Sequence, residues 1–129
     1  MIKIQLDIAY LEYENNIVYV RAKDDLVLEK RDLQLLMETA IEMAAGEKYY
    51  ALIDTSGTGE STPEARDYYS DSEFSKYRYA DAYIVNSLAT RLIVNFFIKF
   101  NKPKVKSRMF GTVEEATKWL EGLKKLQLV

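Results

Sequence analysis

The sequence predicts an α/β domain: a mostly parallel five-stranded sheet that opens with an antiparallel hairpin and carries helices packed on it. Three observations lead there. Apolar residues alternate with a period of two near the start of the chain, and recur at helical spacing in longer segments further on. The two kinds of segment take turns, in the order ββαβαβαβα. Strands that alternate with helices pair in parallel through crossovers, whereas a tight turn joins antiparallel neighbours. With 129 residues, 48% of them hydrophobic and 29% charged, the chain reads as a single globular domain spanning 1–129 rather than a disordered one.

Each element has a local signature. Ile2 to Tyr13 is rich in β-branched and aromatic residues, and Ile4, Leu6 and Ile8 alternate with Lys3, Gln5 and Asp7. Glu14-Asn15-Asn16 reads as a turn, since Asn tolerates positive φ, and Ile17 to Ala22 returns as the second strand. From Arg31 to Ala45, Leu33, Leu36, Met37, Ala40, Ile41 and Ala44 share a helical face, and Gly46 supplies a left-handed stop. Tyr49 to Ile53 is a short apolar run, as expected of a strand covered on both faces. Asp54 ends it.

A polar loop, Thr55 to Pro63, leads into a helix capped by Ser61 or Thr62 with Pro63 in its first turn. That helix runs to about Ser70, and Asp71-Ser72-Glu73 re-caps a short turn through Tyr77. Ala80 to Val85 is the fourth strand, Ser87 caps a helix through Phe100, and Lys102-Pro103 breaks it. Val105 to Phe110 is the fifth strand. Thr112-Val113-Glu114-Glu115 matches a capping box, opening a last helix with Ala116, Trp119, Leu120 and Leu123 inward.

The composition narrows the chemistry. There is no Cys and no His, so disulfides, thiolate nucleophiles, Ser–His pairs and the usual zinc, haem and iron–sulfur ligand sets are all excluded. No metal or other cofactor is expected. The remaining catalytic types, Asp, Glu, Lys, Tyr, Ser and Thr, stand singly, so a non-catalytic role is expected. Net charge is −2, and the basic stretch from Arg91 to Arg108 lacks the interleaved aromatics of a nucleic-acid surface. Lys102, Lys104 and Lys106 read instead as one face of an edge strand, where lysines block sheet-to-sheet association. The alternating, charged start is neither a signal nor a transit peptide, and no uncharged stretch approaches the roughly 20 residues of a membrane span. The expected location is cytoplasmic.

The element order, together with Leu52-Ile53-Asp54-Thr55-Ser56-Gly57, resembles the STAS fold of anti-sigma-factor antagonists, the SpoIIAA-like family. Glu64-Ala65-Arg66-Asp67-Tyr68, Phe100-Asn101-Lys102-Pro103 and Met109 to Leu120 are similar to small stand-alone bacterial STAS-like domains, mostly uncharacterised, which in turn resemble lipid carriers of the CRAL-TRIO type. The antagonist resemblance implies a regulatory loop after the strand, here Asp54, Ser56, Ser61 and Thr62. The family's Asp-Ser-Ser-Gly phosphorylation motif is replaced by Ser61-Thr62-Pro63. Read without the resemblance, Ser61 and Thr62 are helix caps and Asp54 bonds loop amides.

Two further features concern binding. On the helix from Ser87 to Phe100, the periodicity turns Ala89, Leu92, Ile93, Phe96 and Phe100 inward, leaving Val94, Phe97 and Ile98 on the outer face as a partner surface. Two readings cover that patch: packing by a neighbouring helix, or a protein partner, most simply a second copy in a homodimer. Ten Tyr are present, and Tyr68, Tyr69 and Tyr77 cluster around the re-capped helical segment, where similarity to a lipid carrier implies a lid over a small apolar or lipid-like ligand. The leading expectation is a non-catalytic STAS-like module that binds a protein or itself. The alternative is a carrier or sensor of a small apolar ligand.

Overall fold

The computed structural model describes residues 1–127. Its main sheet has six strands in the order β1-β2-β3-β5-β7-β8. The strands are β1 (Ile2–Gln5), β2 (Ala9–Glu14), β3 (Ile17–Ala22), β5 (Tyr49–Asp54), β7 (Arg78–Ile84) and β8 (Lys106–Phe110). Two-residue strands β4 (Val27–Leu28) and β6 (Glu60–Ser61) form a separate parallel pair. The helices are α1 (Lys30–Met43), α2 (Pro63–Asp71), α3 (Leu88–Phe96) and α4 (Val113–Gln127).

The sheet has one strand more than expected. Ile2 to Tyr13 is not continuous: it folds back at Leu6-Asp7-Ile8, where Leu6 N donates to Ala9 O at 2.9 Å. Asp7 is the only turn-favouring residue there, too weak a signal to stand out from the alternation around it. The Asn15-Asn16 hairpin forms as the residues imply, with φ values of 53° and 65°. Thus β1, β2 and β3 make an antiparallel meander, and β3, β5, β7 and β8 run parallel.

Local capping follows the sequence closely. Thr62 Oγ1 accepts from Ala65 N at 3.0 Å, Ser72 caps a 3-10 turn (Glu73–Tyr77), and Ser87 Oγ accepts from Thr90 N at 3.1 Å. Gly46 adopts φ 79° after α1, a conformation available to glycine without strain. Thr112 and Glu115 bond reciprocally at the start of α4.

The parallel order never reverses, so three crossovers of one hand lay α1, α2 and α3 on the same face of the sheet. Only α4, which follows the last strand, is left to cover the other face. There Ala116 and Leu120, both fully enclosed, pack on Tyr50, Leu52, Ala80, Ala82 and Ile84. Small alanines on β7 let α4 approach closely, and Trp119 closes against Phe110 with ring centroids 5.4 Å apart. This face is sealed.

Two expectations are corrected. The chain around α3 is turned inside out relative to the periodicity. Val94 and Phe97 are 6% and 5% exposed and pack on Tyr83 and Val85, with half-buried Ile98 beside them. Leu88, Leu92, Phe96 and Phe100 are 73%, 59%, 59% and 67% exposed. Val94, Phe97 and Ile98 are therefore core, not a partner surface. Both sides of this helix are apolar, so periodicity did not decide which turns inward; Tyr83 and Val85, with Ile53, Tyr69 and Met109 beside them, receive the narrower stripe. Further on, α3 widens into a π-helical turn (Phe97–Asn101) that ends at Lys102 with φ 48°. The lysine alternation is also corrected: Lys102 and Lys104 precede β8, and Lys104 pairs with Asp71 at 3.1 Å. Of the three, only Lys106 lies in the strand, which is indeed the sheet's edge.

Candidate functional site

The face under α1, α2 and α3 is not filled like the other. A cavity of about 650 Å³ lies between the sheet and these helices. The space opens to the surface on one side, where exposed Ile93 forms part of its rim. It falls within the roughly 300–1,000 Å³ range of small-molecule sites. Its walls are mainly apolar: Val18, Ala51 and Ile53 from the sheet, Leu36, Met37 and Ala40 from α1, and Ile93, Val94 and Phe97 from α3 and the turn that follows it.

The glycine-containing loop after β5 roofs one side. It is stitched to the segment after β3: Thr58 N donates to Asp24 Oδ1 at 3.0 Å, Asp25 N to Thr58 Oγ1 at 3.0 Å, and Glu60 N to Leu26 O at 2.8 Å. A Cβ at Gly57 would stand 2.6 Å from Asp24 Oδ1, and one at Gly59 would stand 2.8 Å from Lys23 O. The two glycines are there because the segments touch.

The residues singled out for a regulatory loop divide by role. Asp54 faces the α4 side of its strand end, where Tyr19 Oη donates to Asp54 Oδ2 at 2.5 Å and Ser56 N donates to Oδ1 at 2.9 Å. Burial by itself pushes the Asp54 carboxyl up, but the hydrogen bonds from Ser56 and Tyr19 outweigh it and hold the carboxyl below its ordinary value. Tyr19 is shifted the other way, above the usual phenol range, by burial first and then by Asp54. Charge thus stays on Asp54 and the proton on Tyr19, an arrangement that positions the loop. Ser61 accepts from Arg66 Nη1 through both its carbonyl and its hydroxyl, the latter at 3.2 Å, and Thr62 is the cap of α2.

The tyrosines expected as a lid are separated by the fold. Only Tyr69 lines the cavity, and it does so as part of the wall. Tyr68 lies under Lys30, with Nζ 5.1 Å from the ring centroid, and Tyr77 packs against the α1 core. Tyr68 and Tyr69 are adjacent in α2 and so point about 100° apart, while Tyr77 lies beyond the break at Ser72, at the end of the 3-10 turn.

The most unusual group in the cavity was not singled out from the sequence. Arg78, at the start of β7, lines it and is almost fully buried. Its Nε donates to Asp81 Oδ1 at 2.8 Å, its Nη1 reaches Met37 Sδ at 3.4 Å, and its guanidinium lies over the Tyr69 ring at 4.4 Å. Tyr49 and Tyr83 complete the polar corner. Burial pushes the Asp81 carboxyl up and Arg78 pulls it back. The Tyr49 phenol is raised to about 12, mainly by burial, so every tyrosine here keeps its proton. Tyr83 Oη and Asp81 Oδ2 are enclosed and have no hydrogen-bond partner among the described residues. The signal was present: Asp81 is an acid in the middle of the apolar run Ala80 to Val85, and buried charge on a central strand needs a partner.

Outside the cavity, α3 exposes an apolar stripe, Leu88, Leu92, Phe96 and Phe100, with Ile93 between the stripe and the cavity wall. Phe96 and Phe100 stack on each other at 4.4 Å. No helix among the described residues is long and apolar enough to cross a membrane. Among the same residues, no cluster of three acids forms a metal-binding group.

Comparison with other proteins places this architecture. Residues 11–124 match the family described as a domain of unknown function, DUF7793, and the chain belongs to that family. No curated protein matches the sequence. Among solved structures, the chain is similar to an uncharacterised DUF3478-family protein with a SpoIIAA-like fold from Shewanella loihica PV-4. The likeness covers 87% of this chain and 91% of that one, with a TM-score of 0.61 and 18% identity. The fold is SpoIIAA-like, as the resemblance in the sequence implied.

Proposed function

We propose that this DUF7793 protein is a non-catalytic STAS-like module that holds a small, largely apolar ligand in the cavity under α1, α2 and α3. The observation that carries this reading is the contrast between a sealed face and a face with about 650 Å³ of apolar-walled space. Apolar-walled space favours apolar ligands because burial removes their surface from water, at roughly 25 cal/mol per Å². Several lining side chains are half-buried, so the cavity communicates with the surface near Thr90 and Ile93. Calorimetric titration with dodecan-1-ol tests it. Saturable binding at one site, abolished in Ala51→Phe, is expected; Ala51 lines the cavity and is 4% exposed. Equal binding by that variant, or none by the parent, would overturn the reading.

A second reading rests on the stripe of Leu88, Leu92, Phe96 and Phe100. It is rimmed by exposed Arg91 and Lys99, and no acid occurs between Asp81 and Glu114. A two-fold contact between copies would set bases against bases, so the surface suits a protein partner with acids around apolar anchors. Light scattering tests the alternative occupant. A monomer at high concentration fits this reading; a dimer lost in Leu92→Asp plus Phe96→Asp would replace it with self-association.

A further inference from the structure

We infer that the Arg78, Tyr69 and Tyr83 corner of the cavity is a head-group site, and that the ligand is a neutral amphipath bearing a hydroxyl or carbonyl oxygen. This rests on the cavity being a ligand site and adds the ligand's chemical class. A purely apolar ligand needs no polar corner, and a polar corner buried without purpose is costly.

The donors point to an oxygen acceptor. A guanidinium has five N–H donors. Arg78 commits Nε to Asp81, reaches Met37 Sδ, a weak acceptor, with Nη1, and also bonds the Tyr49 hydroxyl; with five donors, capacity still remains toward the cavity that Arg78 lines. Tyr83 lines the same cavity, and its Oη, enclosed at the wall, has no partner among the described residues and is able to donate or accept. Tyr69, whose ring stacks on the guanidinium, holds its plane fixed.

Charge balance selects a neutral head. Asp81 sits 2.8 Å from Arg78 Nε and already compensates the guanidinium. A ligand carboxylate or phosphate would leave the enclosed cluster with a net negative charge, and burying uncompensated charge is strongly unfavourable. An alcohol or carbonyl accepts from Arg78 and pairs with Tyr83 without changing the balance. The rest of the wall, from Ile53 and Ala51 to Met37 and Phe97, takes the apolar body.

The test compares three probes of equal chain length, dodecan-1-ol, dodecanoate and dodecane, by equilibrium dialysis at pH 8. Dodecan-1-ol is expected to bind about tenfold tighter than either of the others, the scale of one or two buried hydrogen bonds. Tyr83→Phe is expected to weaken dodecan-1-ol about fivefold, leave dodecane unchanged, and leave the melting temperature of the ligand-free protein the same or higher. That last arm keeps the test sound, because the hydroxyl removed has no internal partner to lose. Dodecane binding as tightly as the alcohol would overturn the head-group site while sparing the cavity reading. Dodecanoate binding tightest would overturn the neutral head. Failure of all three to bind would overturn the cavity reading and this inference with it. A large fall in melting temperature for Tyr83→Phe would reassign the hydroxyl to the fold.

Discussion

The two faces of one sheet are built to different rules. On the α4 side, Leu120 and Ala116 press on Ala80, Ala82 and Leu52, and no charged side chain enters that cluster, although the Tyr50 hydroxyl is enclosed there without a partner among the described residues. On the opposite side three helices roof a cavity lined by Arg78 and three tyrosines, with Asp81 paired to Arg78 behind the wall. The strands are shared, so the difference is carried by alternate residues: Tyr50 and Leu52 face α4, while Tyr49, Ala51 and Ile53 face the cavity. Stability and binding are divided between the faces, and a substitution reports on one or the other according to its parity along the strand.

The division is sharpest at the buried pair. Arg78→Met alone strands the enclosed Asp81 carboxyl without its partner, and is expected to destabilise the fold by about 3–5 kcal/mol in urea denaturation. Arg78→Met with Asp81→Leu is expected to recover most of that loss, since an apolar pair of similar volume avoids desolvation altogether. A double variant as unstable as the single would show that the pair holds the fold together and does more than furnish the cavity.

Truncation separates the faces next. Leu120→Ala removes a fully enclosed side chain from tight packing and is expected to cost about 3 kcal/mol. Leu33→Ala, on the half-buried lip of the cavity, is expected to cost about 1 kcal/mol, because its neighbours already lack atoms on one side. Equal costs by denaturation would erase the contrast.

A smaller effect, with a defined pH dependence, belongs to the strand end. Tyr19→Phe removes a hydrogen bond to the Asp54 carboxylate and is expected to cost about 1.5 kcal/mol at neutral pH. Asp54 is held below its ordinary value in the folded state, so its contribution is fully present above the unfolded carboxylate value near about 4. That contribution is lost as pH falls through the lowered value. The gap between parent and variant should therefore narrow in acid and stay level from about pH 6 to 8. A gap that widened in acid would contradict the assignment.

Smallest of all is Leu92→Asp on the exposed stripe of α3, expected to shift stability by less than about 0.5 kcal/mol. A larger loss would mean that this face is covered in the folded protein.

Much of this fold was legible in the sequence because local chemistry and global topology agree there. Asn15-Asn16, Thr62-Pro63, Ser87 and Thr112–Glu115 each mark a turn or cap where the chain makes one. The break inside Ile2 to Tyr13 was not legible, since Asp7 alone does not interrupt an alternating run. The facing of α3 was hidden for a different reason. A helix that is apolar on two sides carries no sign of which side meets the sheet, and only the supply of partners at the edge decides it. The cavity corner depended on contacts across the fold: Met37, Tyr49, Tyr69 and Arg78 are distant in sequence and meet only when α1, α2, β5 and β7 assemble. Even so, Asp81 within an apolar strand was a visible clue.

Chemical-shift mapping of the backbone amides during titration with dodecan-1-ol tests the division of the two faces most directly. Shifts are expected at Ala51, Ile53, Met37 and Val94 around the cavity, with Ala82, Ala116 and Leu120 on the α4 face unmoved. Shifts confined to the outer stripe of α3, or spread evenly over both faces, would contradict it.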